Sequence, residues 1–265
     1  MKKKIFLSCI VSLTTVVFAQ QPKSNNLVLQ KNGITLTEVE ESTQFSKATL
    51  RVKNPVNKAK IADGKVRFSY TVENYQLGNQ TPDADAKHCA NSAKGQHIHL
   101  ILNNAPYSAY YTPEFEQTLQ DGHYVALSFL SRSYHESIKI KSAYTLTQFS
   151  VGASTENDVD LTKPMLFYSR PKGTYTGVKE IKKLLLDFYL VNTTLSEKGN
   201  SVRATINGTE FILTKWAPYI IEGLPMGKNK IKLELLDKSG KLIEGKFNDS
   251  GERTFELLVD EPAMK

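Results

Sequence analysis

Two histidines stand two residues apart in Gly95-Gln96-His97-Ile98-His99-Leu100-Ile101-Leu102. Alternation along a strand puts His97 and His99 on one face, with Cβ atoms roughly 6 to 7 Å apart, and Ile98, Leu100 and Leu102 on the other. Two imidazoles so placed can chelate Cu or Zn, their ring nitrogens about 2.0 Å from the metal. Useful affinity requires a third ligand. His123, directly after the turn residue Gly122, and His135, after the following strand, are the candidates, and His88 and Cys89 are further candidates from a polar loop between Leu77 and Gly95. Thiolate plus imidazole favours Cu or Zn over Mg or Ca. The opposing reading makes the histidines solvated side chains on an exposed sheet, with His123, which shares the parity of core-facing Val125, at the mouth of a strand.

Anion binding is the competing chemistry. Arg132, Tyr134, His135 and Lys139 cluster in one segment, and Tyr168-Ser169-Arg170-Pro171-Lys172-Gly173 supplies a second basic stretch that would lie beside it. Arginine contacts phosphate or carboxylate in bidentate fashion, and partly protonated histidine adds to it. Arg170 and Lys172 also read as the charge and proline defence of a solvated edge strand. The aromatic group Tyr107, Tyr110, Tyr111 and Phe115 has a counterpart in Phe211, Trp216 and Tyr219, and that recurrence argues for loop packing. No nucleophile elbow, zinc-protease helix or phosphate-binding glycine loop is present, so catalysis is not expected, with a metal-dependent enzyme kept as an alternative.

The elements that must position these residues come in two related sets. Lys94 to Asn104 aligns without gaps to Lys198 to Gly208, Val66 to Asn74 matches Leu184 to Asn192, and Gly122-His123 with Val125, Leu127 and Phe129 matches Gly227-Lys228 with Ile231, Leu233 and Leu235, one residue out of step. A period of about a hundred residues is far longer than a solenoid repeat, so each unit is a domain. All five histidines fall in the first. The second replaces His97, His99 and His123 with Ser201, Arg203 and Lys228. Scaffold demands therefore do not explain the histidines. Short alternating runs, turn signals such as Asn207-Gly208, and the lack of any sustained helical period predict two β-sandwiches, most simply Ig-like.

Met1-Lys2-Lys3-Lys4, the apolar run Ile5 to Phe18 and the small residue Ala19 have the parts of a secretory signal peptide cut after Ala19. That predicts a secreted or periplasmic chain. Losing three lysines and no acid would bring the formal charge from +7 to +4, well short of a nucleic-acid footprint. No other stretch has the roughly 18 apolar residues of a membrane span. Cys89 is the one thiol left, so no internal disulfide is expected. The expected organisation is a signal over residues 1–19, a leader over 20–32, a His-bearing sandwich over 33–152, a polar linker over 153–164 and a His-free sandwich over 165–265.

Gly95-Gln96-His97-Ile98-His99, Asp121-Gly122-His123 and Tyr134-His135 together resemble a family of secreted bacterial Ig-like domains that carry a Gly-His-x-His strand, a Pro-Gly-x-His turn and a further histidine. The resemblance spans roughly residues 50 to 150. Asp121 stands where that family has proline. The two-domain arrangement, with Phe167 to Gly173 and Leu186 to Asn192, is also similar to chains labelled phosphopeptide-binding proteins, which implies a phosphorylated or acidic peptide as partner. A non-catalytic binding protein for Cu or Zn is the expectation, with an anionic ligand at Arg132, Tyr134, Arg170 and Lys172 as its alternative.

Overall fold

A computed structural model describes residues 26–40, 45–62, 64–154 and 157–259. The signal peptide expected at residues 1–19 lies outside the described residues. The chain is all-β. It opens on a hairpin, β1 (Val28–Lys31) and β2 (Ile34–Glu38). Eight strands follow as the first unit: β3 (Thr49–Asn54), β4 (Ala59–Ile61), β5 (Lys65–Glu73), β6 (His97–Leu102), β7 (Ser108–Tyr110), β8 (Glu114–Thr118), β9 (Gly122–Ser131) and β10 (Tyr144–Val151). Eight more make the second: β11 (Met165–Arg170), β12 (Gly173–Thr176), β13 (Leu184–Val191), β14 (Ser201–Ile206), β15 (Thr209–Leu213), β16 (Tyr219–Glu222), β17 (Gly227–Leu236) and β18 (Arg253–Leu258). Among the described residues helix is confined to single turns, including α1 (Ala84–Lys87) and α2 (Val178–Lys182).

Each unit is an Ig-like sandwich, and the two agree strand for strand. In the first, β3-β5-β8 covers β4-β10-β9-β6-β7, and in the second, β11-β13-β16 covers β12-β18-β17-β14-β15. Both units change sheets at a cis X-Pro bond, Asn54-Pro55 and Arg170-Pro171, after which β4 and β12 run parallel to β10 and β18. Proline has no N–H for a ladder, so the crossover falls where pairing must stop in any case. Leu50, Phe68, Ile98, Leu100, Leu130 and Phe149 fill the first core, and Leu166, Phe188, Val202, Leu233 and Phe255 the second.

Two expected boundaries are corrected. Residues 28–38 are neither a leader nor the start of the first sandwich, because β2 pairs antiparallel with β16, matching Ile220 to Thr37 and Ile221 to Leu36. Ile34 and Leu36 are buried in the second core. The polar stretch after residue 152 is tied down where described: the Val159 amide donates to Gln148 Oε1 at 2.7 Å, and Gln148 Nε2 returns a bond to the Val159 carbonyl at 3.0 Å.

A third apolar cluster welds the units together. Ile101, Val125, Leu127 and Phe129 of the first pack on Met165, Phe167, Tyr189 and Val191 of the second, with Tyr107 and Phe247 at the margins. The sheet holding β6 and β9 is thus buried on both faces, and the molecule is four sheets deep. Val125, Leu127 and Phe129 face this middle layer, not their own sandwich core. The ladders show why: His99 pairs with Phe129 where Arg203 pairs with Glu234, so the true counterpart of Leu235 is Leu130. A one-residue slip moves a whole strand face. Across the middle layer, Lys139 Nζ and Ser137 Oγ donate to Asp187 Oδ1 at 2.6 and 3.0 Å. The backbone of edge strand β11 is met by Asn104, whose Oδ1 accepts from the Tyr168 amide at 3.0 Å.

Candidate functional site

The expected alternation on β6 is present, but its polar face is not wet. His97 and His99 are both 0 % exposed, beneath the second sandwich. They sit at the end of the middle layer, where β6 pairs with the last residues of β9, and His97 stands opposite Ser131. Beyond β9 the chain turns back sharply. The Arg132 amide donates to the Glu136 carbonyl and the His135 amide to the Arg132 carbonyl, both at 2.9 Å. His135 takes φ 68° in this turn, a left-handed conformation that non-glycine residues adopt sparingly and histidine more readily than most. Thr81 braces the turn through a hydroxyl that accepts from the Ser133 amide at 2.9 Å. The polar loop after Leu77 thus helps aim His135 at β6.

Three ring nitrogens converge there. His97 Nε2 lies 2.8 Å from His99 Nε2 and 3.1 Å from His135 Nδ1. One ligand atom from each of the three residues fits within a span of 4.8 Å. His97 Nδ1 is 2.8 Å from the Gly95 carbonyl. A carbonyl only accepts, so Nδ1 carries the proton and Nε2 presents a bare lone pair toward the other two rings. That support depends on glycine: Gly95 has φ +82°, and a Cβ there would meet the Asn79 and Gly78 carbonyls at 2.5 Å. On the far side of His99, Ser169 Oγ is 3.4 Å from Nδ1. The His99 ring stacks on Tyr107 at 3.7 Å and 14°, and the Tyr107 hydroxyl is 3.5 Å from His135 Nδ1.

Burial sets the protonation state. Desolvation pulls the His97 imidazole down to about 4, against a weaker upward pull from the Gly95 carbonyl. It holds His99 and His135 well below the ordinary histidine range, with the neighbouring rings, Arg170 and Lys172 pushing the same way. All three rings are neutral near pH 7, the form that ligates metals. Metal–nitrogen bonds of about 2.0 Å in tetrahedral array put nitrogens about 3.3 Å apart. The two spacings from His97 Nε2, 2.8 and 3.1 Å, are already close to that, and the outer nitrogens of His97 and His99 face the Gly95 carbonyl and Ser169 in the manner of outer-shell ligand supports.

The remaining site candidates go to different places. His123 is buried, 3.5 Å from Asp158 Oδ1, at the opposite end of β9 and six residues before Phe129, so about 20 Å of strand separates it from His99. His88 is an exposed cap after α1. Cys89 faces a small cavity with Tyr134, Glu136 and Lys183, not the imidazoles. The Arg132 cluster is taken apart: Arg132 is fully buried with its Nη1 on Glu136 Oε1 at 2.9 Å, the Tyr134 hydroxyl reaches Asp83 at 3.4 Å, and Lys139 belongs to Asp187. These groups hold the turn and the interface and offer no anion surface. Arg170 and Lys172 do reach the triad. Both lie over the Tyr107 ring, Arg170 Cζ at 5.6 Å and Lys172 Nζ at 4.3 Å, and they are not a solvated edge, since Arg170 is 9 % exposed. Sequence reasoning missed Ser169, Gly95 and the role of Tyr107. Only the apolar run on both parities of Leu184–Val191 hinted at the second layer that brings Ser169 in.

No protein-family model matches the chain, and no curated protein does. Among solved structures it is similar to the fibronectin(III)-like modules of Clostridium thermocellum CbhA, at 14 % identity over 80 % of this chain and 94 % of that one, TM-score 0.27. It is also similar to the Bacteroides ovatus SGBP-B of a mixed-linkage glucan utilization locus, solved with a heptasaccharide, at 10 % identity over 79 % of this chain and 47 % of that one, TM-score 0.22. The D00-D0 domain of intimin gives 12 %, 78 % and 98 %, with a TM-score of 0.20. Likeness this slight leaves strand order and register as the basis of the fold assignment.

Proposed function

We propose that this is a non-catalytic binding protein whose first sandwich holds one transition-metal ion, Zn or Cu, through His97, His99 and His135. The observation that carries the reading is the convergence of His99 Nε2 and His135 Nδ1 on the lone pair of His97 Nε2, three neutral imidazoles of which two are buried and His135 is half-buried. In a metal-free state His97 Nε2 accepts from two rings at once, which one in-plane lone pair serves poorly. A cation at the centre uses all three. An all-imidazole set suits Zn and Cu. The signal-like sequence of residues 1–19 supports a site of action outside the cytoplasm.

Isothermal titration of the purified chain with Zn(II) and Cu(II), with electron paramagnetic resonance on the Cu(II) form, tests the proposal. One ion per chain is expected, with nitrogen hyperfine structure for copper. Because losing an outer-shell partner already costs about 10- to 100-fold in affinity, His97→Gln, His99→Gln and His135→Gln should each weaken binding by more than about 100-fold. His123→Gln should bind as the native chain does. Stoichiometric binding that survives His97→Gln/His99→Gln would end the assignment.

A further inference from the structure

A cavity of about 600 Å³ opens beside the triad, lined in part by Tyr107, His135, Arg170, Lys172, Tyr175 and Glu180. Its cations are unlike the others in the interior. Buried Arg132 has Glu136 at 2.9 Å and buried Lys139 has Asp187 at 2.6 Å. Among the described residues no carboxylate pairs with Arg170 or Lys172. Arg170 Nη1 donates to the Tyr175 hydroxyl at 2.9 Å, while its Nε is buried with no partner. Lys172 donates to the Tyr107 carbonyl, and its backbone amide donates to the Tyr175 hydroxyl at 3.1 Å. Burial and the adjacent Arg170 pull the Lys172 ammonium below its usual range, as happens to a cation without a counter-charge. The carboxylate in the lining, Glu180, accepts from the Thr176 amide at 3.4 Å.

Burying a guanidinium without an anion is costly, and proteins ordinarily supply a carboxylate or leave the group in water. Here two cations and the accessible edge of His135 border one groove. We infer that the groove is a site for a small oxyanion, a phosphate- or carboxylate-bearing molecule, held by Arg170 and Lys172 with an oxygen directed at the metal. Arginine's fork matches either group, and the Tyr107 ring that stacks on His99 also lies under Lys172, so the anion and metal positions share a wall. Three histidines leave a zinc or copper ion a coordination position for that oxygen. The metal half of this ligand set rests on the reading above, and the Arg170–Lys172 half stands without it.

Inorganic phosphate and citrate are titrated into the full chain, metal-free and Zn-loaded, followed by calorimetry and, for phosphate, by 31P line broadening. One or both should bind the metal-free chain and bind the Zn-loaded chain more tightly. Each charge-assisted bond is worth roughly 10- to 100-fold in affinity, so Arg170→Gln and Lys172→Gln should each lower anion affinity by at least about tenfold while Zn affinity stays within about threefold. Lys172 is half-buried, so Lys172→Gln keeps the test open should Arg170→Gln unfold. Anion binding that depends on Arg170 or Lys172 in a chain that takes no metal would sink the metal reading and leave this one standing. Binding of neither anion, or binding unchanged in both variants, would overturn it.

Discussion

At the scale of the residue, the site depends on how single atoms are committed before any ligand arrives. The Gly95 carbonyl fixes the His97 tautomer, and only glycine tolerates both the positive φ and the packing against Asn79. Gly95→Ala should therefore lower metal affinity without touching a ligand, and it should also lower the melting temperature. Unchanged affinity in a folded Gly95→Ala chain would mean that the carbonyl has no part in orienting the ring. Cys89 offers a test away from the imidazoles. Burial, then Glu136, pushes its thiol up to about 11. The thiolate is the reactive form, so at pH 8 the folded chain should hold on the order of a hundredfold less of it than an ordinary cysteine does. Alkylation by iodoacetamide should be slow at that pH, rise steeply toward pH 11, and become fast at pH 8 once urea unfolds the protein. Fast labelling of the native chain would show the thiol to be unshielded.

At the scale of the element, β1 and β2 depart most from the expected plan. Val28 to Lys31 alternates too weakly to announce a buried partner, and its strand is largely exposed. What recruits the hairpin is Leu36, 0 % exposed between β16 and the second core. Leu36→Ala should cost about 2 to 5 kcal/mol, the usual range for a leucine cavity. Hydrogen exchange should localise the loss to amides of β13, β16 and β17 rather than to β5 or β6, although β5 and β6 belong to the sandwich nearer in sequence. Protection lost first in β5 would contradict the pairing. β9 teaches a related lesson. Its apolar set at Val125, Leu127 and Phe129 alternates as a core-facing strand does, yet those side chains meet the other sandwich. Ala126 and Leu130, at the opposite parity, meet their own.

At the scale of the whole molecule, two copies of one fold have stopped being independent. The middle layer joins them with an apolar core and with the buried Lys139–Asp187 pair. Calorimetry should show one cooperative transition for both sandwiches, and two well-separated peaks would refute the shared core. Asp187→Ala strands an ammonium in the interior and should cost about 3 to 5 kcal/mol. In the second copy the face equivalent to His99 and Phe129 stays polar, with Arg203 Nε on Glu234 Oε2 at 2.8 Å and Lys232 Nζ on Glu234 Oε1 at 3.0 Å. The sheet whose outer face is apolar is the one that packs on the other domain, and the metal and anion positions proposed here lie where that contact ends.

Strand alternation, turn residues and the hundred-residue repeat make the sandwich class and the shared side of His97 and His99 readable from the letters, because both follow from local geometry. Parity cannot say what lies across a face. Whether β6 looks into water or into another sheet, whether His123 or His135 comes within reach, and whether Arg132 or Arg170 is the unpaired cation all turn on contacts between residues far apart in sequence. His135 joined the cluster because a tight turn reverses the chain at the right end of β9. Ser169, Arg170 and Lys172 joined it because a second domain was packed there. Burial, which decides charge and protonation, is a property of that packing alone.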